Sequence, residues 1–401
     1  MRRVRLWLTG LSLVLAVAAC GAGGGHPTVT ASHAGRTGRG CAGGPVPASP
    51  GWRIVQGLPP EPGCGQPGGG SNDMLSVAAV SARDVWAVGY LCPHQCYSHR
   101  TLVEHWTGHR WRTIPPPPGR GLLIPPTVIS ASAATNVWVF GDADLTTRVS
   151  RWNGSSWASF RFPGEVSTTA AAVFSRTDVW AFGELSIPST ASSRPYVVRF
   201  TGHRWLRVGS PLVPQAASAV APNDIWTVGT LTGPGEVWAA AHWNGSSWRT
   251  LRFPPLPPAV AASAVIGNAA IQAFSARDAW VDIGLTTATA SYGIIVWHWN
   301  GRAWSRVPVP YRTQAAGAIS GDGRGGIWMC AIGLPAPPGA GTYLYHYSHG
   351  QWSRQAAPAL GGAATEMGVL SWRPGVSSGW AATDNGNRGA LLRYVPSPTG
   401  H

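Results

Sequence analysis

Apolar positions along this chain fall in short alternating runs bounded by turn residues, the pattern of strands and not of helices. The line Ser81-Ala82-Arg83-Asp84-Val85-Trp86-Ala87-Val88-Gly89 is the first copy of a motif that returns around Trp138, Trp180, Trp226, Trp280, Trp328 and Trp380. These seven tryptophans span 294 residues in six intervals, a mean repeat of 49 residues, in the range of one four-stranded propeller blade. A second line follows, His105-Trp106-Thr107-Gly108-His109-Arg110-Trp111, with two aromatics five residues apart. The same pitch separates Trp152 from Trp157, Phe200 from Trp205, Trp243 from Trp248, Trp299 from Trp304 and Tyr347 from Trp352. Asn153-Gly154, Asn244-Gly245 and Asn300-Gly301 lie between such pairs. Asn-Gly is a strong hairpin signal, since both residues accept positive φ.

Each unit therefore reads as four strands, in the first unit near residues 76–80, 85–90, 101–106 and 111–114. The first strand of each unit is rich in small residues, such as Ala170-Ala171-Ala172 and Ala316-Gly317-Ala318, which suit a crowded central axis. The seventh unit ends at Leu391-Leu392-Arg393-Tyr394 with no second tryptophan, and Gly51-Trp52-Arg53-Ile54 supplies the missing strand. An N-terminal strand that completes the last blade closes the ring and removes an open seam. Eighteen of the 22 Trp occupy these repeat positions. The expectation is an all-β, seven-bladed β-propeller of four-stranded antiparallel blades over residues 51–398.

Composition agrees: there is no Lys, only six Glu, and 52 Gly with 35 Pro, a set that favours strands and turns over helices. The N-terminus carries an address. Arg2, Arg3 and Arg5 precede an apolar run from Leu6 to Ala19 that is too short to span a bilayer. It ends in Val17-Ala18-Ala19-Cys20, which resembles the lipobox of bacterial lipoproteins. The resemblance implies that residues 1–20 are a signal peptide region, that Cys20 is lipidated, and that the protein is anchored on the outer side of the cell membrane. Residues 21–50, poor in large apolar side chains, read as a flexible tether of roughly 30 Å.

The lines Ser-x-x-Asp-Val-Trp-Ala-Val-Gly and His-Trp-Asn-Gly-x-x-Trp resemble a repeat of secreted or lipidated actinobacterial propeller proteins, loosely kelch-like. The resemblance covers residues 51–395 and implies the fold; that group is mostly uncharacterised and implies little of function. The kelch Gly-Gly pair, the Trp-Asp end of WD repeats and the Gly-x-Thr-Trp of sialidase Asp-boxes are absent.

Candidate chemistry is sparse. Asp84, Asp178, Asp224 and Asp278 share one slot and read as turn caps that accept backbone amides. The remaining carboxylates form no distinctive pair of the kind a glycosidase needs, and no Gly-x-Ser-x-Gly elbow or phosphate loop occurs. His105, His242 and His298 belong to separate blades and read as strand residues, not a ligand set. Cys92 and Cys96 bracket one loop and are expected to pair in an oxidising compartment. The alternative is a metal site from Cys92, His94, Cys96 and His99. Cys41 with Cys64 is a looser pairing, and Cys330 reads as a buried thiol. No cofactor is called for. The charge of +14 comes from Arg alone; many arginines flank the outermost-strand tryptophans, where they guard strand edges or attract anionic lipids or wall polymers. Nucleic acid is not expected as a partner of an exported protein.

The first-to-second and third-to-fourth strand turns are short, whereas the other connections vary in length and emerge together on the opposite face. Binding tends to reside in such loops. They carry Tyr90, His94, Tyr97, His99, Arg100, Glu236, Trp238, Tyr292, Asp384, Asn385, Asn387 and Arg388. The leading expectation is a monomeric, non-catalytic, membrane-tethered binding or scaffold propeller for a protein or glycan. The alternative is an extracytoplasmic lyase or hydrolase, possibly metal-dependent, with its site at the channel mouth.

Overall fold

The computed structural model describes residues 51–58, 72–92, 100–118, 127–141, 148–161, 166–187, 192–233, 237–256, 265–286, 291–311, 313–333, 342–360, 366–372, 378–384 and 388–396. Among these residues every regular element is a strand, β1 to β28 in chain order. Blade 1 holds β2 (Asp73–Ser81), β3 (Asp84–Leu91), β4 (Arg100–Trp106) and β5 (Trp111–Ile114). Blade 2 holds β6 (Val128–Ala133), β7 (Asn136–Gly141), β8 (Arg148–Trp152) and β9 (Trp157–Arg161). Blade 3 holds β10 (Val166–Val173), β11 (Val179–Ile187), β12 (Ser192–Phe200) and β13 (Trp205–Val208). Blade 4 holds β14 (Leu212–Ala221), β15 (Asp224–Leu231), β16 (Trp238–Trp243) and β17 (Trp248–Arg252). Blade 5 holds β18 (Val265–Ser275), β19 (Asp278–Thr286), β20 (Ser291–Trp299) and β21 (Trp304–Val307). Blade 6 holds β22 (Thr313–Gly321), β23 (Ile327–Gly333), β24 (Thr342–Ser348) and β25 (Gln351–Ala356). Blade 7 holds β26 (Glu366–Ser371), β27 (Trp380–Asp384), β28 (Gly389–Val395) and, from the other end of the chain, β1 (Gly51–Gly57).

All strand pairs are antiparallel, and in blades 1 to 6 the strands pair in chain order. The first strands of successive blades touch around the whole circle, β26 meeting β2 to close it. The closure expected from the N-terminus is therefore present: Trp52 pairs with Tyr394 and Arg53 with Arg393. Trp52 is 3% exposed, and its ring meets Trp328 of blade 6 edge-on at 5.7 Å. The seam is thus filled by a packed aromatic that outlying chain provides.

The core is a set of interblade layers. Trp86, Trp138, Trp180, Trp226 and Trp380 are fully buried, each covering the neighbouring blade with a large flat face. Trp138, for example, lies 5.3 Å from Phe200 and 6.0 Å from Trp205 of blade 3. Inner strands bulge, as between Met74 and Ser76, and the motif glycine of the next strand faces the bulge. A Cβ at Gly89 would stand 2.0 Å from the Asp73 carbonyl oxygen, so no other residue fits.

The hairpin turns have the length that the strand ranges predict. Trp152 pairs directly with Trp157, so residues 153–156 form a four-residue loop, as residues 107–110 do in blade 1. Only its glycine takes positive φ, Gly154 at 106°. Asn153 acts through its side chain: Oδ1 accepts the amides of Ser155 and Ser156, each at 2.9 Å. Asn244 and Asn300 repeat this arrangement. An asparagine that closes its own turn keeps an ordinary backbone.

Candidate functional site

The two faces of the ring carry different chemistry. On the short-turn face, strand register places a basic residue opposite the motif tryptophan in every blade. The pairs are Trp86–His105, Trp138–Arg151, Trp180–Arg199, Trp226–His242, Trp280–His298, Trp328–His346 and Trp380–Arg393. His105 lies flat on Trp86 with ring centres 4.0 Å apart, and its Nε2 is 2.8 Å from Asp84 Oδ1. The same oxygen accepts the Trp86 indole N–H at 2.9 Å. Asp224–His242 and Asp278–His298 repeat the contact at 2.8 and 2.9 Å. In blade 3, Arg199 forms a two-point pair with Asp178, 2.8 Å for each bond.

This corrects the turn-cap reading of the aspartates. Capping falls to the motif serine: Ser81 Oγ accepts the Arg83 amide at 3.2 Å, and Ser275 Oγ that of Arg277 at 3.1 Å. The aspartate turns instead toward the third strand, because a His or Arg side chain there is both aligned by register and placed over the intervening indole. Asp322 alone of the five retains a capping role, taking the amides of Arg324 and Gly326 at 2.7 and 2.8 Å. Burial pushes its carboxyl up, but the bonds from His346 and those two amides outweigh it and hold the group below the usual range. Five structural clamps of this kind account for one face, and none joins another.

The opposite face receives the variable connections, and its best-defined part is the seam between blades 7 and 1. Asn72, 1% exposed, accepts the Cys92 amide on Oδ1 at 2.9 Å. Its backbone bridges Arg388 in parallel fashion and accepts the Gly389 amide. Next along the chain, Asp73 pairs in register with Tyr90 and accepts its phenolic O–H on Oδ2. Asp384 ends β27 opposite Gly389. Asp73, Tyr90, Asp384 and Arg388, all half-buried, thus collect at one end of two adjoining blades. Two carboxylates, a phenol and a guanidinium offer donors and acceptors to a polar ligand. Sequence reading had picked out Tyr90, Asp384 and Arg388 but missed Asn72 and Asp73. Their signal is position: Asn72 immediately precedes the innermost strand β2, and Asp73 opens it directly across from Tyr90.

The other expected loop residues fare differently. Arg100 is exposed at the start of β4. Trp238 opens β16 and is half-buried against the core between blades 4 and 5. Trp297, a β20 residue outside both repeated aromatic lines, is 5% exposed and stacks on Phe253. Tyr292 belongs to β20. Cys20, Cys41, Cys64, His94, Cys96, Tyr97, His99, Glu236, Asn385 and Asn387 lie outside the described residues. Cys92 is fully buried, and its expected pairing with Cys96 lies outside the described residues. Cys330 is a buried thiol, as expected, and burial pushes it up to about 12. Among the described residues no group of His, Cys, Asp and Glu is arranged to hold a metal ion, and no helix is long and apolar enough to cross a membrane.

Two carboxylates sit in the core. Glu104, 4% exposed, accepts the Thr113 hydroxyl at 2.8 Å, and burial raises its carboxyl. Asp282, 0% exposed, replaces the apolar residue that Val88 and Val228 provide in blades 1 and 4.

No known family profile and no curated protein matches the chain. Solved structures do. The chain is similar to YCF48 bound to D1 peptide, with TM-score 0.57 and 12% identity over 87% of this chain and 98% of that one. It is similar to YCF48 from Cyanidioschyzon merolae, with TM-score 0.52 and 14% identity over 87% and 100% of the two chains. A GH74 xyloglucanase from Xanthomonas campestris gives TM-score 0.53 and 13% identity over 82% of this chain and 53% of that one. At these identities the likeness defines the class, a seven-bladed β-propeller, and nothing narrower.

Proposed function

We propose that this propeller works by binding and not by catalysis, engaging a protein or glycan through its variable-loop face while a lipid on Cys20 tethers it outside the cell membrane. The observation that carries the reading is the gathering of Asp73, Tyr90, Asp384 and Arg388 at the seam. The carboxylates of the other face are engaged in clamps with His or Arg. Two carboxylates, a phenol and a guanidinium thus meet at the end where connections vary. The peptide-bound YCF48 structure supports a protein partner. Cys96, four residues on, is the proposed disulfide partner of Cys92.

Peptide and glycan arrays probed with the full chain test this reading. Binding that disappears in Asp384→Asn with Arg388→Gln, at unchanged melting temperature, is the expected result. A xyloglucanase shares the fold, so the overturning result is turnover of a polysaccharide that is lost in Asp384→Asn. The anchor is tested separately: fatty-acid labelling in cells is expected to vanish in Cys20→Ala.

A further inference from the structure

The outer wall of the ring has one sign of charge. Each of the seven outermost strands carries arginine, and none carries Asp or Glu. Arg53, Arg112, Arg161, Arg207, Arg249, Arg252, Arg306 and Arg354 are all exposed. Edge protection needs a charge, but not one sign throughout. Between blades 4 and 5 the wall opens into a groove of about 610 Å³ lined by Arg249, Arg252 and Arg302, with Phe253, Trp299 and Trp304 beside them. No carboxylate lines it, and none of the three guanidiniums has an acidic partner among the described residues. Arg249 stands over the Trp299 ring at 5.9 Å, an aromatic contact that orders the guanidinium without neutralising it.

We propose that this groove is a second binding site, for a flexible phosphate-bearing polyanion, and that the arginine wall extends it. Guanidinium groups grip phosphate through paired N–H bonds, and three arginines line this one groove. The curvature of the wall selects the kind of polyanion. Outer strands of seven blades point radially in all directions, so a flat anionic bilayer touches only one or two blades at a time. A flexible chain can follow the wall from the groove to neighbouring arginines. The site uses none of the loop-face residues and is independent of the function proposed above.

The test is titration of the full chain with fluorescent long-chain inorganic polyphosphate at low salt. Arg249→Gln, Arg252→Gln and Arg302→Gln together are expected to weaken binding at least tenfold by the loss of three charged contacts. Arg112→Gln, on a distant blade, is expected to change it less than about threefold. All four arginines are exposed, so thermal melts are expected to coincide. Asp384→Asn with Arg388→Gln leaves polyphosphate binding intact, which separates this site from the loop face. Three results overturn the proposal. The wild type ignores polyphosphate, or the groove variant binds as tightly as the wild type. Or phosphatidylglycerol vesicles bind as tightly as polyphosphate at equal anionic charge, and the site is then a membrane contact.

Discussion

His346 lies parallel to Trp328, ring centres 4.2 Å apart and planes 5° from coincidence, while its Nε2 meets Asp322 Oδ2 at 2.9 Å. Blade 6 has glycine, Gly326, at the slot that holds aspartate in blades 1, 3, 4 and 5. The carboxylate arrives instead from four residues upstream, across a turn that Asp322 itself caps. A Cβ at position 326 would stand 2.4 Å from Asp322 Oδ2, so the glycine makes room for the displaced acid. The contact is kept although its sequence slot is lost, so five of the seven blades carry the clamp.

Clamp aspartates should therefore matter in proportion to their burial. The side chains of Asp84 and Asp224 are 20% and 17% exposed, that of Asp278 43%. Removing Asp84 or Asp224 leaves the imidazole beside it without its acceptor, at a cost of about 2 kcal/mol. Asp278→Ala, more hydrated, should cost under about 1 kcal/mol. Urea unfolding of the three alanine variants gives the ranking; equal losses at all three would contradict it.

Asp282 should set a pH dependence of opposite sign to that of an ordinary salt-bridged carboxylate. Its Oδ1 accepts the Ala270 amide at 3.0 Å, and Oδ2 has no partner among the described residues. Burial raises the carboxyl to about 7, the Ala270 bond opposing only in part. The unfolded chain releases this proton near pH 4, the folded one near 7, so stability falls as pH rises between the two. The penalty above pH 7 is on the order of 4 kcal/mol. Asp282→Asn should gain stability over the wild type at pH 8 far more than at pH 4. An equal difference at both values would remove the carboxyl from the account.

Closure of the ring rests on one aromatic. Trp52 touches Trp328, Trp372 and Tyr394, whereas the next residue, Arg53, is exposed. Trp52→Ala is expected to cost about 3–5 kcal/mol through the cavity it leaves, and Arg53→Ala under about 1 kcal/mol. Parallel denaturant melts make the comparison, and similar losses would deny the tryptophan its role at the seam.

Cys330 should be inert until the blade opens. It is 1% exposed, accepts the Ala318 amide on sulfur at 3.0 Å, and is pushed up to about 12 by burial. Maleimide at pH 8 should label it only in denaturant, because the thiolate is the reactive form. Labelling of Cys330 in the native protein, read by peptide mass mapping, would mean that blade 6 opens locally.

Blade number, strand order and closure were legible in the sequence because they are periodic. Seven tryptophans at a mean spacing of 49 residues, and an unmatched half-hairpin at each end, leave little choice of architecture. Strand β5, Trp111–Ile114, coincides with its predicted range, and the first strand differs mainly by starting earlier, at Asp73. Polar partners were not legible in this way. Asp84 and His105 are 21 residues apart, and only the register of two strands and the stack on Trp86 bring them together. A lone aspartate at 282 reads as one more scattered acid until the neighbouring blade encloses it. The seam at Asn72 joins residues separated by most of the chain, and the Arg249–Arg302 groove exists only between two blades. Short-range pattern thus determined the repeating scaffold. The clamps, the buried carboxylate, the seam and the groove were decided by tertiary structure, because burial and hydrogen-bond geometry depend on which strands the closed ring makes neighbours.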